Sequence, residues 1–480
     1  MTQPQVTITE IDGALGVLPA SAGSLTAFVG SSTTGPLNTP ATFARTTALI
    51  ETFGGGEVVE AAAYYINVTG RPVVISRAEA TTVAAVSTPV KTGPGTYTVT
   101  VGATPAPVDN YEYKVRFLND VTLGGVDVAK YQLSYDNGRS YGAQTALGVD
   151  GIINAGGVVF TIGATGTIVE GDAFTARATA SQWSGTELAA AIAPLGTSTI
   201  LWEQLIVVGE LDADAFDVVD TTVKGWRTSG KYRSWIGGAR VPDIDESPAT
   251  YQAAMSTEFA DKATTLGTVC GAACKVTSGV SGRKYRRSTV FAIAAAQAVS
   301  EEIDIADVNL GSLPGVAIRD TNGNVDEHDE SANPGLDDAR LTVLRTWDGY
   351  PGVYVNRPRI FSVEGSDFQL IPHRRVLNLT EAILRNYFIR RLNRPIRVDK
   401  TTGFILEADA LEIEGGAVAA MRSGLLAKPK ASDVQFILSR TDNILATKTL
   451  SGTARVVPLA YPEFINIEVG FFNPALAVAA

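Results

Sequence analysis

Leu25-Thr26-Ala27-Phe28-Val29-Gly30, then Glu57-Val58-Val59-Glu60-Ala61-Ala62-Ala63-Tyr64-Tyr65-Ile66-Asn67-Val68, then Pro72-Val73-Val74-Ile75-Ser76-Arg77, form the series that decides how this chain begins. The outer two runs are β-branched and apolar, which suits strands, and the middle run carries its apolar residues at helical spacing. Gln5-Val6-Thr7-Ile8-Thr9-Glu10-Ile11 alternates with a period of two and reads as a further strand. Residues 1–84 therefore read as a small α/β unit. Gly54-Gly55-Gly56 is a turn rather than a phosphate cradle, because it lacks a GxGxxG pattern and no strand feeds directly into it.

Working outward, residues 85–180 change in character to Val, Thr, Tyr and Gly. Short strands such as Tyr97–Val101, Tyr111–Leu118, Tyr131–Tyr135, Val158–Ile162 and Ala173–Ala178 recur between turn signals. That spacing predicts an all-β inserted domain. Within it, Ser134-Tyr135-Asp136-Asn137-Gly138-Arg139-Ser140-Tyr141 resembles an Asp-box hairpin, read here as structural.

Residues 181–356 alternate helix and strand. Ser184 and Glu187 make a capping box, and Leu201–Val208 is a buried strand. Pro248 opens a helix that carries Tyr251, Met255 and Phe259 and stops at Gly267. Trp235-Ile236 and Val269–Val276 are candidate strands, and Ser288–Glu302 is an Ala-rich buried helix. Successive β–α pairs predict a middle α/β domain with a mostly parallel sheet. Residues 357–480 add helices at Leu379–Leu392 and Gly416–Leu426 and alternating strands at Val434–Ser439 and Phe464–Gly470. The fold class is α+β, multidomain.

The 480 residues are 45% hydrophobic and only 19% charged, which excludes wholesale disorder. A formal charge of -11 argues against general nucleic-acid binding. Two His and two Cys cannot build a Cys/His zinc site. Met1–Glu10 lacks the charge and apolar run of an export signal, and no apolar run approaches a membrane span. The expectation is a soluble protein made in a cytoplasm, with no membrane insertion.

The chemical motifs are incomplete. Gly225-Trp226-Arg227-Thr228-Ser229-Gly230-Lys231 fits GxxxxGK, but Tyr232 stands where Mg²⁺ requires a hydroxyl, and the order runs helix to strand. Gly230 reads instead as a helix C-cap. The acidic run Asp320–Glu330 begins like a calcium loop but has Val325 and Ser331 where Gly and Glu are needed, so it reads as a solvated loop with a surface His328. His373 has no G-x-S-x-G partner. No catalytic, cofactor or metal residue is assigned.

Cys270 and Cys274 read as small buried side chains, with disulfides between subunits allowed should the assembly leave a reducing compartment. Charge is more informative. Arg374, Arg375, Arg385, Arg390, Arg391, Arg394 and Arg397 crowd one segment, and Glu407, Asp409, Glu412 and Glu414 follow. Such a split can make one copy's basic face complementary to another's acidic face.

In order along the chain, Val6–Gly13, Thr26–Gly30, Gly35–Pro40, Phe53–Gly56, Ala61–Ile66 and Arg71–Arg77 resemble contractile tail sheath proteins of bacteriophages and related injection systems. Leu344–Tyr354, Gly365–Phe368 and Arg374-Arg375 continue the match near the other end. The resemblance implies a sheath core formed by both chain ends, residues 1–84 and 357–480, with the intervening domains outside. It implies a homopolymer of sixfold symmetry around an inner tail tube protein, bounded by baseplate and tail terminator proteins, assembled in the host cytoplasm and carried in the virion. Such sheaths link subunits through terminal strands. Val6, Ile8 and Ile11, and Phe464, Ile465, Ile467 and Val469, are the residues here that would do so. The Arg374–Arg397 and Glu407–Glu414 groups become candidates for contacts with the tube or between subunits. Another virion structural protein, or a secreted β-rich adhesin, is the alternative.

Overall fold

The computed structural model describes residues 25–243, 246–319 and 326–470. It is a mixed α+β molecule with several sheets, divided into one compact unit ending at Ala382 and a second beginning at Ile383.

The first unit is organised by a six-stranded sheet in the order Gly267–Cys270, Ser234–Gly238, Gln204–Glu210, Thr26–Ser31, Val73–Ala78, Ala41–Phe43. All pairs are parallel except the last. Side chains alternate between two cores, as the pleat requires. Ala27, Val29, Val74, Leu205, Val207, Trp235 and Val269 face one core with the helices Gly185–Thr197, Ala213–Thr228 and Pro248–Glu258. Phe28, Val73, Ile75, Ile206, Val208, Ile236 and Cys270 face the other with the helices Glu57–Thr69 and Val290–Ala296. Burial on both faces explains the near-continuous apolar strands.

This pairing corrects the sequence reading in one respect. Residues 1–84 and 181–356 were expected to form separate α/β domains, yet Thr26–Val29 pairs directly with Gln204–Val207. Neither set of strands could bury both faces alone. Among the described residues beyond Ile383, none gives a strand to this sheet, and the strands Asp433–Leu438 and Gly452–Val457 pair with each other.

Several local signals are realised as read. Ser184 and Glu187 form the capping box, and Pro248 is the first helical residue with Ser247 capping it. Boundaries move elsewhere. The Pro248 helix ends at Glu258, and Gly267 opens a strand. Val269–Val276 is two strands broken at Gly271-Ala272, where Ala272 has φ 66°. The Ala-rich helix is only Val290–Ala296, and the basic helix runs earlier than expected, over Ile371–Ile389.

Within residues 85–180, short β-strands pack around Tyr97, Tyr113, Phe117, Phe160 and Phe174. The first and last of these strands pair with each other, Val86 with Ala178 and Ala85 with Thr179, so the chain leaves beside the point where it arrives. The Asp-box is structural: Asp136 accepts from Ser134 Oγ at 2.5 Å and from Ser140 N at 2.9 Å. Gly138, at φ 88°, supplies the turn.

Trp235 and Gly267 are register partners in adjacent strands. The indole stacks edge-on to Phe216 at 5.1 Å and lies where a Cβ on Gly267 would be. Gly267→Ala should therefore overpack this core and lower unfolding free energy by about 3 kcal/mol, read as a drop in the urea midpoint with an unchanged slope.

Candidate functional site

In the second unit, the helix Glu407–Met421 lies on the hairpin Asp433–Leu438 and Gly452–Val457. Ala410, Ile413, Ala417 and Met421 meet Val434, Phe436 and Leu438 in its small core. Phe388 packs on Phe436 at 5.2 Å, and Tyr387 donates to the Ile413 carbonyl at 2.9 Å. The hairpin's alternation buries one face and leaves Asp433, Gln435 and Ile437 outward. Among the described residues no third strand joins it, although Glu414 and Arg440 already occupy the N–H and carbonyl of Leu438 on the first strand.

The terminal segment Phe464–Gly470 forms no strand within this chain, contrary to its alternating pattern. It has no ladder partner among the described residues, and a strand without a partner is not stable. Phe464 is 85% exposed and Val469 91%, with Ile465 and Ile467 also exposed. Four large apolar side chains in water within six residues mark a segment built to be covered. Val6, Ile8 and Ile11 lie outside the described residues.

The charge group separates into three sets. Arg374 and Arg375 are buried, so they are not the surface contacts the sequence suggested. Arg374 donates to Asn378 at 3.0 Å and shares Glu381 with Arg227; burial pushes its pKa down to about 10. Arg375 donates to Glu203 at 3.0 Å and to the Val299 carbonyl at 3.1 Å. These two arginines fasten the start of the Ile371–Ile389 helix to the parallel-sheet body.

The second set is paired inside the terminal unit rather than held for another copy. Arg440 spans Glu407 at 2.7 Å and Glu414 at 2.6 Å. These carboxylates sit seven residues apart on one helix face, and their hydrogen bonds to Arg440 hold both below the usual carboxylate range. Arg397 pairs with Asp409, and Arg391 reaches Glu412 at 3.3 Å. Sequence reading missed Arg440. Its only signal was the seven-residue spacing of its partners.

The third set, Arg385, Arg390 and Arg394, is exposed.

The remaining motifs are structural. Cys270 and Cys274 are free thiols, fully buried against the sheet, so neither reaches a neighbouring subunit for a disulfide. Lys231 donates to the Gly196 carbonyl, and Gly230, at φ 75°, follows the helix end. Beyond the exposed Asp326, the described part of the acidic run is not a solvated loop. Glu327, Asp329 and Glu330 are buried, and His328 is not on the surface but bonds Glu330 at 2.7 Å. Burial would raise the Asp329 pKa, but donors from Ser331 and Thr346 outweigh it and hold it at about 2. No helix among the described residues is long and apolar enough to cross a membrane.

With this geometry in place, comparison with known proteins assigns the class. The chain belongs to the DUF2586 family, whose N-terminal domain model matches residues 3–359. No curated protein matches it. Among solved structures it is similar to the anti-feeding prophage helical sheath in its contracted state, at 12% identity and a TM-score of 0.52, covering 98% of this chain and 99% of that one. The contracted PVC sheath complex of an extracellular contractile injection system follows at 10% identity and TM-score 0.51, covering 98% of each chain. A chain of the anti-feeding prophage baseplate, 6-fold symmetrised, gives 11% identity and TM-score 0.52, covering 98% of this chain and all of that one. The fold is thus that of contractile sheath proteins, as the resemblance along the sequence implied.

Two outcomes follow from the buried charges. Arg375→Ala leaves Glu203 inside without a partner and should cost about 3 kcal/mol in chemical denaturation. Asp329→Asn should cost about 2 kcal/mol at neutral pH through its lost charged hydrogen bonds. Because the native pKa is depressed, that stabilisation is present above the ordinary value of 3.8 and is lost as pH falls towards 2. The gap between wild type and variant should therefore close on acidification.

Proposed function

We propose that this chain is the subunit of a contractile tail sheath, polymerising around an inner tube and contracting to drive that tube through a host envelope for genome delivery. The observation that carries the reading is the exposed apolar alternation of Phe464–Val469 in a chain with the contractile-sheath fold. Such a segment needs a sheet edge on a neighbour, and the outer side of the Gly452–Val457 strand, which no further described strand joins, is an edge of that kind. A donor and an acceptor at different places on one chain make a heterologous contact, and a heterologous contact that does not close gives a helix.

In this reading residues 5–11 and 464–470 are the linking arms, and the 85–180 insertion faces outward. The partners are further copies in sixfold array, the inner tail tube protein, and baseplate and tail terminator proteins. The assembly forms in the host cytoplasm and travels as part of the virion. Arg385, Arg390 and Arg394 are the cations left for the tube or a neighbouring subunit. Contraction needs no nucleotide. Each subunit gains interface in the contracted packing, and a gain of about 2 kcal/mol, repeated along the sheath, suffices to commit the whole structure.

Electron microscopy of the purified full-length chain should show hollow, thick-walled tubes or stacked rings. Ending the chain after Glu463 should leave dispersed monomers with an unchanged melting temperature, because Phe464, Ile465, Ile467 and Val469 are exposed rather than packed into a core. Arg390→Glu with Arg394→Glu should fold normally yet fail to assemble on the tube. Polymers from the truncated chain would remove the arm assignment, and dispersed full-length protein in the presence of tube and baseplate would remove the sheath reading itself.

A further inference from the structure

In open parallel sheets the crevice at the carboxyl ends of the strands, where strand order reverses, is where ligands bind. Here that point lies between Thr26–Ser31 and Gln204–Glu210. The insertion occupies it. Asn110 and Tyr111 line it beside Gly209 and Glu210, leaving a cavity of about 50 Å³, room for little more than water.

The groups that meet there are badly matched in charge. Glu57 and Glu60 begin the Glu57–Thr69 helix and are both buried. Asp109 from the insertion is 1% exposed, and Arg287 from the body pairs with it at 2.5 Å. Asn110 bridges the two parts: it donates to Glu57 at 2.5 Å, and its own carbonyl accepts from Arg287 at 2.7 Å. One oxygen each of Glu57 and Glu60 is buried with no hydrogen-bond partner. Three carboxyls therefore share one guanidinium.

The neighbouring groups do not supply the missing positive charge. Glu210 adds a further carboxyl opposite Glu57, and the phenols of Tyr111 and Tyr285 face Glu60. Lys275 and Arg286 are taken up by Glu112 and Glu327. Arg177, on the cavity wall, is drawn to Asp243 at 3.3 Å. The helix N-terminus favours a carboxylate by at most a fraction of a full charge.

We propose that the seam between the insertion and the parallel-sheet body is a proton-holding joint, in which Glu57 and Glu60 take up protons as the insertion seats and release them as it lifts. A protonated carboxyl supplies the O–H donor that the crowded site lacks and removes the excess negative charge. Burial first, and then the Asp109 charge, raise Glu57 to about 8 and Glu60 to about 7, in line with that assignment. A raised native pKa fixes the sign. The seam is tightest below the ordinary carboxyl value of 4.5, loosens by about tenfold per pH unit for each carboxyl that still holds its proton as pH rises towards 7 and 8, and levels off above that. The joint belongs to the single chain and stands whether or not the sheath reading does.

Infrared spectroscopy of the full-length protein at neutral pH should show a buried, protonated carboxyl stretch, which Glu57→Gln with Glu60→Gln should abolish. Its absence from the wild type would overturn the proposal without recourse to any variant. Hydrogen exchange of the Tyr111–Phe117 strand, compared with the double variant at matched pH, should then quicken as pH rises from about 5 to 8 and level off beyond. The intrinsic rate cancels in that ratio, so a ratio flat with pH would overturn the proposal as well.

Discussion

Parallel pairing of Thr26–Val29 with Gln204–Val207 is the constraint on which the first unit depends. It joins segments separated by the entire β insertion, so its formation must close a very long loop before any contact rewards it. The insertion reduces that penalty by being a folded body whose ends already meet in the Ala85–Val86 and Ala178–Thr179 ladder. Once the two strands pair, the helices on both faces have a platform, and the Trp235 and Phe28 cores close on opposite sides. No part of residues 26–78 could bury Phe28 and Val29 together without it.

Legibility in the sequence followed the range of the interactions. The Ser184 capping box and Pro248 are local, and each appears where its chemistry places it. The Asp-box was readable for the same reason, since Ser134, Asp136 and Ser140 satisfy one another within seven residues. The shared sheet was not readable. Two α/β segments with apolar strands look complete in isolation, and strand order is a long-range property.

The charged residues teach a related lesson. A count of arginines between residues 374 and 397 suggested one basic face, but burial divides them. Arg374 and Arg375 lie inside the Ile371–Ile389 helix contact, while Arg391 and Arg397 are held by carboxylates of the terminal unit. Charge pattern reports composition; which partner a guanidinium finds depends on tertiary placement. The Phe464–Val469 alternation is the opposite case, where the pattern is clear and the missing element is a partner from outside the chain.

The adjacent ends of the β insertion carry one more consequence. Because Ala85 and Thr179 are ladder partners, the body experiences the whole of residues 85–180 as a hairpin turn. Evolution can therefore lengthen, replace or decorate that module without disturbing the sheet, provided the newcomer has neighbouring ends. The same property makes it a socket for a grafted domain, displayed once per copy. Such a graft would also open the crevice that Asn110 and Tyr111 now line, returning Glu57 and Glu60 to water.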